Sequence, residues 1–592
     1  MPGIAGFATT RAFATGHTRK ILKDVQALLT HDSRYLLDAL TCSSQVCGTR
    51  VHAGVLQPAP QPYSHSGLSI WLDGEFYNRE EIAQEFGIQV DTDLALLVAL
   101  FKCADRRTAF GRIDGIYSAV IHDQPARKLH LLSDRHGLRP LFWASYGSKF
   151  MWASEVKAFL VLPKFEPVLN PQALEEFLGI GYLIKAHTWF KGIQRLAPAT
   201  HLTYDLQDGS VKECRYWWWD RISPHPERVD EREAAEELGR RFTRAVELRS
   251  GAEDRVGIVL SGGLDSRAIL AAMPERRLPI SALTFGMAGS PDLRIARRVA
   301  DLKGACHHIH AITAENWIAP RIEAVWWTDG LLNLLHMHGI EHLNDIKILF
   351  DVSLNGVGGG GLVGGVHLFA PEDFFAYTRH ILGLDADRHP TLFESLREEF
   401  VRTGSAHSFC INHRIRSFSL HGPRTGTFKG VEYRLQFLDN GFQEMLYGLP
   451  LCLKMHNRIY RQMLLKAFPD YYRHIPWQST GVPIAWPMWA IKASQAVQKV
   501  RRRIRPRSSE SRNYTNYPTW IRCEPARSLF EALLLNSQAL YPQYLSRSRV
   551  VHAWEMHLSG ADRSEALGRF LTLELFLQQV FEGRWRTAQE LG

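Results

Sequence analysis

The 592-residue sequence predicts two folded units of different class: a β-rich sandwich of antiparallel sheets, then an α/β unit with a parallel sheet and a helical C-terminal extension. Three observations predict this. From Gly3 to about Tyr216, short apolar or alternating runs such as Leu68 to Leu72, Tyr117 to His122 and Leu129 to Leu132 are punctuated by Gly, Asp and Pro. From about Glu231 helices alternate with apolar strands: Glu231 to Ser250 has helical period, Val256 to Leu260 reads as a buried strand, and Arg267 to Met273 restarts a helix. Finally, the chain is too long for one core, because domains usually run about 50 to 250 residues. Residues 1–216 and 231–592 are assigned to the two units. Strand, helix, strand order in the second implies a parallel sheet with helices on both faces.

Beyond about Val366 the helical signal continues to the end, interrupted by a basic stretch from Lys499 to Arg507 and a polar loop from Ser508 to Tyr517. Arg501, Arg502, Arg503, Arg505 and Arg507 read as a solvated helix end, or as a docking face for an acidic peptide or protein.

Composition excludes several function classes. Hydrophobic content of 45% and aromatic content of 11% place the chain among globular proteins. Lys and Arg outnumber Asp and Glu by 70 to 61, an excess too thin over this length to indicate a nucleic-acid binder. The eight cysteines form no CxxC pair and have no histidines at zinc spacing, so buried or free thiols in a reducing compartment are expected. No run of about 18 apolar residues appears, so no membrane span is expected. Residues Met1 to Thr10 have no basic region followed by an apolar stretch, and a cytoplasmic protein is expected.

The most informative segment is Val256-Gly-Ile-Val-Leu260 followed by Ser261-Gly-Gly-Leu-Asp-Ser266 and a helix. Gly262 and Gly263 let the backbone approach phosphate oxygens, and the following helix start offers unpaired N–H groups and a positive dipole end. Ser261 and Ser266 add hydroxyl donors. Asp265 is negative where phosphate would sit, which makes sense with a Mg²⁺ ion between them. The loop is not a Walker A motif, since no Gly-Lys-Ser/Thr follows.

This loop resembles the pyrophosphate loop of the asparagine synthetases and their relatives, which cleave ATP between the α and β phosphates and make an acyl-adenylate. Ser281-Ala-Leu-Thr-Phe-Gly286 looks like the next strand of that domain, Gly289-Ser-Pro-Asp-Leu293 matches the GSPDL segment, and Gly430-Val-Glu-Tyr-Arg-Leu-Gln-Phe-Leu-Asp439 is similar to GVEARVPFLD. In the N-terminal half, Gly3-Ile-Ala-Gly-Phe7, Asp73-Gly-Glu-Phe-Tyr-Asn78, Asp134-Arg135 and Ala153-Ser-Glu-Val-Lys157 are similar to the family's glutaminase domain. The resemblance implies a four-layer αββα architecture for that half. It also implies an ATP site at Val259, Leu260, Ser261, Gly262, Gly263, Asp265, Ser266, Phe285, Asp292 and Gly356, with Asp265 as metal ligand.

The departures from the family decide the chemistry. Glutaminase domains of this kind use an N-terminal cysteine as nucleophile and its amine as base, whereas here Pro2 follows Met1. The RGPD segment that holds glutamine is missing around Arg34-Tyr35-Leu36-Leu37, and Asp93, which matches a glutamine-binding position, reads as a structural remnant. Asn355-Gly-Val-Gly-Gly-Gly-Gly-Leu-Val-Gly-Gly365 looks like the SGEGSDELFGG loop, with Val357 where the family has a catalytic Glu and Gly360 where it has a metal-binding Asp. Ser479, in Ile475-Pro-Trp-Gln-Ser-Thr-Gly481, stands about where a lysine stabilises transition-state charge. Arg414, Arg416 and Arg267 are candidate replacement cations, or surface arginines.

Glu432 falls where cyclising relatives place the Glu of a Tyr/Glu dyad and is a candidate base; the alternative is a structural glutamate paired with Arg434. His307 and His308 match a strand-end HHEIH segment and are expected to be structural. Relatives lacking the cysteine include β-lactam and carbapenam synthetases and lasso-peptide cyclases, whose amine comes from the substrate itself. The resemblance thus implies an ATP- and Mg²⁺-dependent amide ligase without glutaminase activity, acting on a precursor peptide or small carboxylate, with intramolecular macrolactam closure of a lasso-type precursor peptide as the leading expectation. A leader-peptide-binding or protease component is a possible partner. An amine-using ligase and a catalytically silent binding subunit are the alternatives.

Overall fold

The computed structural model describes residues 2–13, 15–146, 148–162, 165–225, 229–251, 255–277, 279–504 and 514–583. Of the basic stretch, the helix Met488–Ile504 is described, whereas Arg505 and Arg507 lie outside the described residues.

The N-terminal strands form two stacked antiparallel sheets, one of seven strands and one of six. Alternation along Gly3–Thr9 builds the layers, since successive side chains leave a strand on opposite faces. Ile4 and Ala8 pack between the sheets with Trp71, Val120 and Trp152. Ala5 and Phe7 pack outward with Leu22, Val25 and Leu29 of the helix Thr15–Leu29. In the second sheet Trp71 points inward while Ile70 and Leu72 pack outward with Leu94, Leu97 and Phe101 of the helix Asp93–Lys102. The order helix, sheet, sheet, helix follows. Two indoles fit between the sheets because Gly6 and Gly48, paired across strands, have no side chains there. A Cβ at Gly6 would lie 2.2 Å from the Trp152 ring, and one at Gly48 would lie 2.6 Å from the Trp71 ring.

The second unit holds a five-stranded parallel sheet: β1 (Val256–Val259), β2 (Ser281–Gly286), β3 (Cys306–Ala311), β4 (Val352–Asn355) and β5 (Glu432–Leu435), in the order β3-β2-β1-β4-β5. Helices α1 (Asp265–Ala272) and α2 (Pro291–Lys303) supply the crossovers, and the amphipathic α2 buries Ile295, Ala296, Val299 and Ala300. Strand order reverses between β1 and β4, so the loops after these two strands diverge at the carboxyl edge, where open α/β sheets bind ligands.

Buried ion pairs lock the two units together. Arg139 sits between Asp73 at 2.6 Å and Glu432 at 2.8 Å. Arg434 grips Glu75 with two bonds of 2.7 and 2.6 Å. Arg249 bridges Asp114 and Asp439, both at 2.8 Å. Burial pushes Asp114 up to about 7, while the shared guanidinium holds Asp439 below the usual carboxylate range against the same burial. One cysteine expectation is overturned: Cys42 and Cys47 face each other across paired strands, with Cα atoms 4.1 Å apart, and form a disulfide. Cys103, Cys214, Cys306, Cys410, Cys452 and Cys523 are free.

Candidate functional site

The loop from Ser261 to Ser266 leaves β1 and enters α1, the position its glycines and apolar strand require. Its polar groups bond among themselves. The Ser261 N–H donates to Ser266 Oγ at 3.0 Å, the two serine hydroxyls are 3.0 Å apart, and the Gly263 N–H donates to Ser261 Oγ at 3.2 Å. The Gly262 N–H donates to Asp292 Oδ1 at 2.9 Å, so Asp292, at the start of α2, braces the loop. Its other carboxylate oxygen is buried without a hydrogen-bond partner, and burial raises its pKa. Phe285, at the end of β2, meets Tyr514 edge-on with ring centroids 6.2 Å apart.

Asp265 joins the two loops at the switch point. Its Oδ2 accepts the Gly360 N–H at 2.9 Å, and its Oδ1 accepts the Tyr460 hydroxyl at 2.7 Å. Burial raises its pKa, and both of these bonds oppose the rise. Gly356 and Gly359 are small because Asp265 presses on them: Cβ atoms there would lie 2.9 Å and 2.3 Å from its side chain. A Cβ at Gly360 would stand 3.5 Å from Asp265 Oδ2, an ordinary contact. The donor set fits Mg²⁺, because each Asp265 oxygen keeps a lone pair and this ion needs only one or two carboxylates beside phosphates and water.

Of the arginine and glutamate candidates, Arg267 touches the loop from Ser261 to Ser266, whereas Glu432, Arg434 and Arg416 are placed elsewhere. Glu432 begins β5 and pairs in register with Val352, the first residue of β4, so it lies at the opposite end of the sheet from the loops. It is ion-paired to Arg139 rather than to Arg434, because the buried guanidinium of Arg139 reaches it from the N-terminal half. Arg434 is likewise spent on Glu75 and on the Arg249 carbonyl. Arg416 donates to the carbonyls of Gly137 and Leu196. Arg267 is buried and donates to the carbonyls of Gly262, Tyr471, Ile475 and Pro476, fastening the loop to the segment that follows. Arg414 lies over the Phe418 ring at 4.4 Å beside Tyr182, pairs with no carboxylate among the described residues, and its charge bears on Tyr182, Cys410 and His367. His367 abuts the glycine loop, since a Cβ at Gly361 would lie 2.7 Å from its ring. Burial and the Arg414 charge lower this imidazole to about 4.

The segment from Ile475 to Gly481 lies against the loop: the Gln478 N–H donates to the Gly262 carbonyl at 3.4 Å, and the neighbouring Ser479 is exposed. In the N-terminal half Asp93 is fully engaged, by the Phe76 N–H at 2.9 Å, Gln57 at 2.6 Å and Arg79 at 3.3 Å. His307 bonds the Thr284 hydroxyl at 2.8 Å, a structural contact within the sheet.

Sequence reasoning missed Tyr460 and Gln436. Tyr460 lies 195 residues from the carboxylate it touches, so no local pattern exposes it. Gln436 follows β5 at the carboxyl edge, is fully buried, and has neither its amide nitrogen nor its oxygen hydrogen-bonded. Its signal was available, because it replaces the proline of the family's GVEARVPFLD segment.

Comparison with known proteins agrees with this architecture. Residues 1–217 match the glutamine amidotransferase domain family, and residues 237–409 match the asparagine synthase family. Asparagine synthetase [glutamine-hydrolyzing] of Gallus gallus is 26% identical over 426 residues, covering 68% of this chain and 69% of the relative. Asparagine synthetase [glutamine-hydrolyzing] 3 of Bacillus subtilis is 25% identical over 487 residues, covering 73% and 78%. With both matches in the same order as the fold places the two units, the chain is similar to the glutamine-hydrolysing asparagine synthetases along most of its length, and the match of its second unit to the asparagine synthase family supports ATP-dependent amide ligase activity in general.

Proposed function

We propose that the protein adenylates a substrate carboxylate and joins it to an amine of the same molecule, closing a macrolactam ring in a precursor peptide of the lasso type. The carboxylate oxygen attacks the α-phosphorus of ATP and pyrophosphate leaves. The amine then attacks the acyl carbon, AMP leaves, and the amine's proton passes to solvent. Ser261, Gly262, Gly263 and Ser266 would hold the pyrophosphate, with Val259, Leu260, Phe285 and Gly356 around the nucleotide and Asp265 as the metal ligand. Mg²⁺ at Asp265 would offset phosphate charge. The observation that carries this reading is a complete phosphate loop in a chain with Pro2 where glutamine-hydrolysing relatives have their nucleophile. ATP–pyrophosphate exchange with candidate peptides tests it, and cyclised product with AMP in equal amount is the expected result. Exchange with small carboxylates alone would instead favour an amine-using ligase. A catalytically silent binding subunit is the second reading, favoured by the engagement of both Asp265 oxygens within the protein. It requires ATP binding with no exchange for any carboxylate.

Glutamine should be neither hydrolysed nor required, because proline has no thiol to attack the amide. Glutamate release by the purified protein above a no-enzyme control would contradict this.

A second test uses Gly360. Its backbone lies outside the left-handed region, so it tolerates a side chain, and that side chain would point at Asp265. Gly360→Asp should lower the Mg²⁺ concentration needed for half-maximal exchange by about 10-fold, an effect of about 1.4 kcal/mol. Unchanged Mg²⁺ dependence in the folded variant would remove this loop from the metal site.

A further inference from the structure

A cluster of two imidazoles and one carboxylate lies at the edge strand of the parallel sheet, outside the loop from Ser261 to Ser266. His310 is on the edge strand β3, and His342 and Asp345 lie in the segment from Ile340 to Leu349 that leads into β4. One potential ligand atom from each of the three lies within 4.8 Å of the other two. Asp345 Oδ2 is 3.3 Å from His310 Nδ1 and 3.7 Å from His342 Nδ1, and the imidazole centroids are 4.9 Å apart. Two ligands held 2.0–2.1 Å from a tetrahedral zinc ion are about 3.3 Å from each other, so these separations approximate edges of one coordination tetrahedron.

We propose that His310, His342 and Asp345 form a binding site for a divalent ion of the zinc class, which fastens the edge strand β3 to the segment leading into β4.

Further observations favour a metal over a simple ion pair. Glu341, the adjacent carboxylate, is no competitor, because Arg321 holds it at 2.7 Å. Two imidazoles and one carboxylate are a borderline donor set that suits zinc, unlike the all-oxygen surroundings that magnesium takes. The Asp345 side chain is 47% exposed, which leaves room for water as fourth ligand. His308, two residues before His310 on the same face of β3, is the nearest protein alternative in sequence. None of its residues belongs to the loop from Ser261 to Ser266, but His310 pairs in register with Phe285, so the test reads metal binding directly and not exchange.

The test is a Zn²⁺ titration of the full chain against a chromophoric chelator, with Mg²⁺ in excess to saturate oxygen-only sites. One equivalent should bind, and Co²⁺ in its place should give the visible bands of a tetrahedral nitrogen and oxygen site. His310→Gln and Asp345→Asn, both at solvent-accessible positions, should each weaken binding at least ~10–100-fold, the loss that altering outer-shell partners alone causes. Zn²⁺ should also raise the thermal midpoint of the wild type and not of these variants. Cys306→Ser, which alters an exposed thiol on the same strand, should leave binding unchanged. Failure of the wild type to bind under excess Mg²⁺, or equal binding by the His310 and Asp345 variants, would overturn the proposal.

Discussion

Replacing Asp265 by Asn is expected to abolish ATP–pyrophosphate exchange while leaving the fold intact. The carboxylate stands where the loops after β1 and β4 meet, accepting one hydrogen bond from the Gly360 N–H of the second loop and one from the Tyr460 hydroxyl of the helix Arg458–Ala467. An amide oxygen of the same shape preserves one of these bonds and removes the charge. Removing one preorganised electrostatic group from a water-poor site costs about 10²–10³ in rate, roughly 3–4 kcal/mol. The expected loss is at the upper end, because Gly360 supplies no second carboxylate to share the role. Tyr460→Phe is the companion variant: it removes a hydrogen bond without removing charge, and should cost less than Asp265→Asn. Exchange by Asp265→Asn at the wild-type rate, with circular dichroism unchanged, would remove this loop from the chemistry.

The largest stability effect is expected at Arg139, which lies among residues of both units. Its guanidinium is 3% exposed and neutralises Asp73 and Glu432 together. Arg139→Met fits the space approximately but leaves two buried carboxylates facing each other, and breaking a buried pair in this way costs about 3–5 kcal/mol. The thermal midpoint should fall by about 6 °C or more, taking about 2 °C per kcal/mol for a unit of this size. Adding Glu432→Gln should restore part of the loss, because it removes one uncompensated charge. The same variant alone probes the role of Glu432. If the residue is structural, Glu432→Gln lowers the midpoint and leaves exchange and cyclisation per folded molecule unchanged. A loss of turnover with an unchanged midpoint would return it to the reaction, against its position at the amino end of β5.

The sequence by itself determined what is written in short stretches. Strand and helix periods gave the two classes of unit, and the observed helix Glu231–Arg249 and strand Val256–Val259 lie within one residue of their expected ends. Two glycines after an apolar strand marked the loop from Ser261 to Ser266 as the candidate phosphate loop, because turn conformation and close backbone approach are properties of a few consecutive residues. Pro2, where the resemblance expects a cysteine, is likewise read without reference to any neighbour. Only the tertiary structure decided which charges meet. Glu432 finds Arg139 at a separation of 293 residues, Arg434 finds Glu75 at 359, and Asp265 finds Tyr460 at 195. Such pairings depend on the register of sheets and the docking of one unit on the other, which no local period encodes. The same holds for His310 with His342 and Asp345, and for Cys42 with Cys47, which an antiparallel pairing brings face to face. Residue type and spacing fix the chemistry a segment offers, whereas the electrostatic cost of burial decides which partners each charge must have, and burial is settled only when the chain has folded.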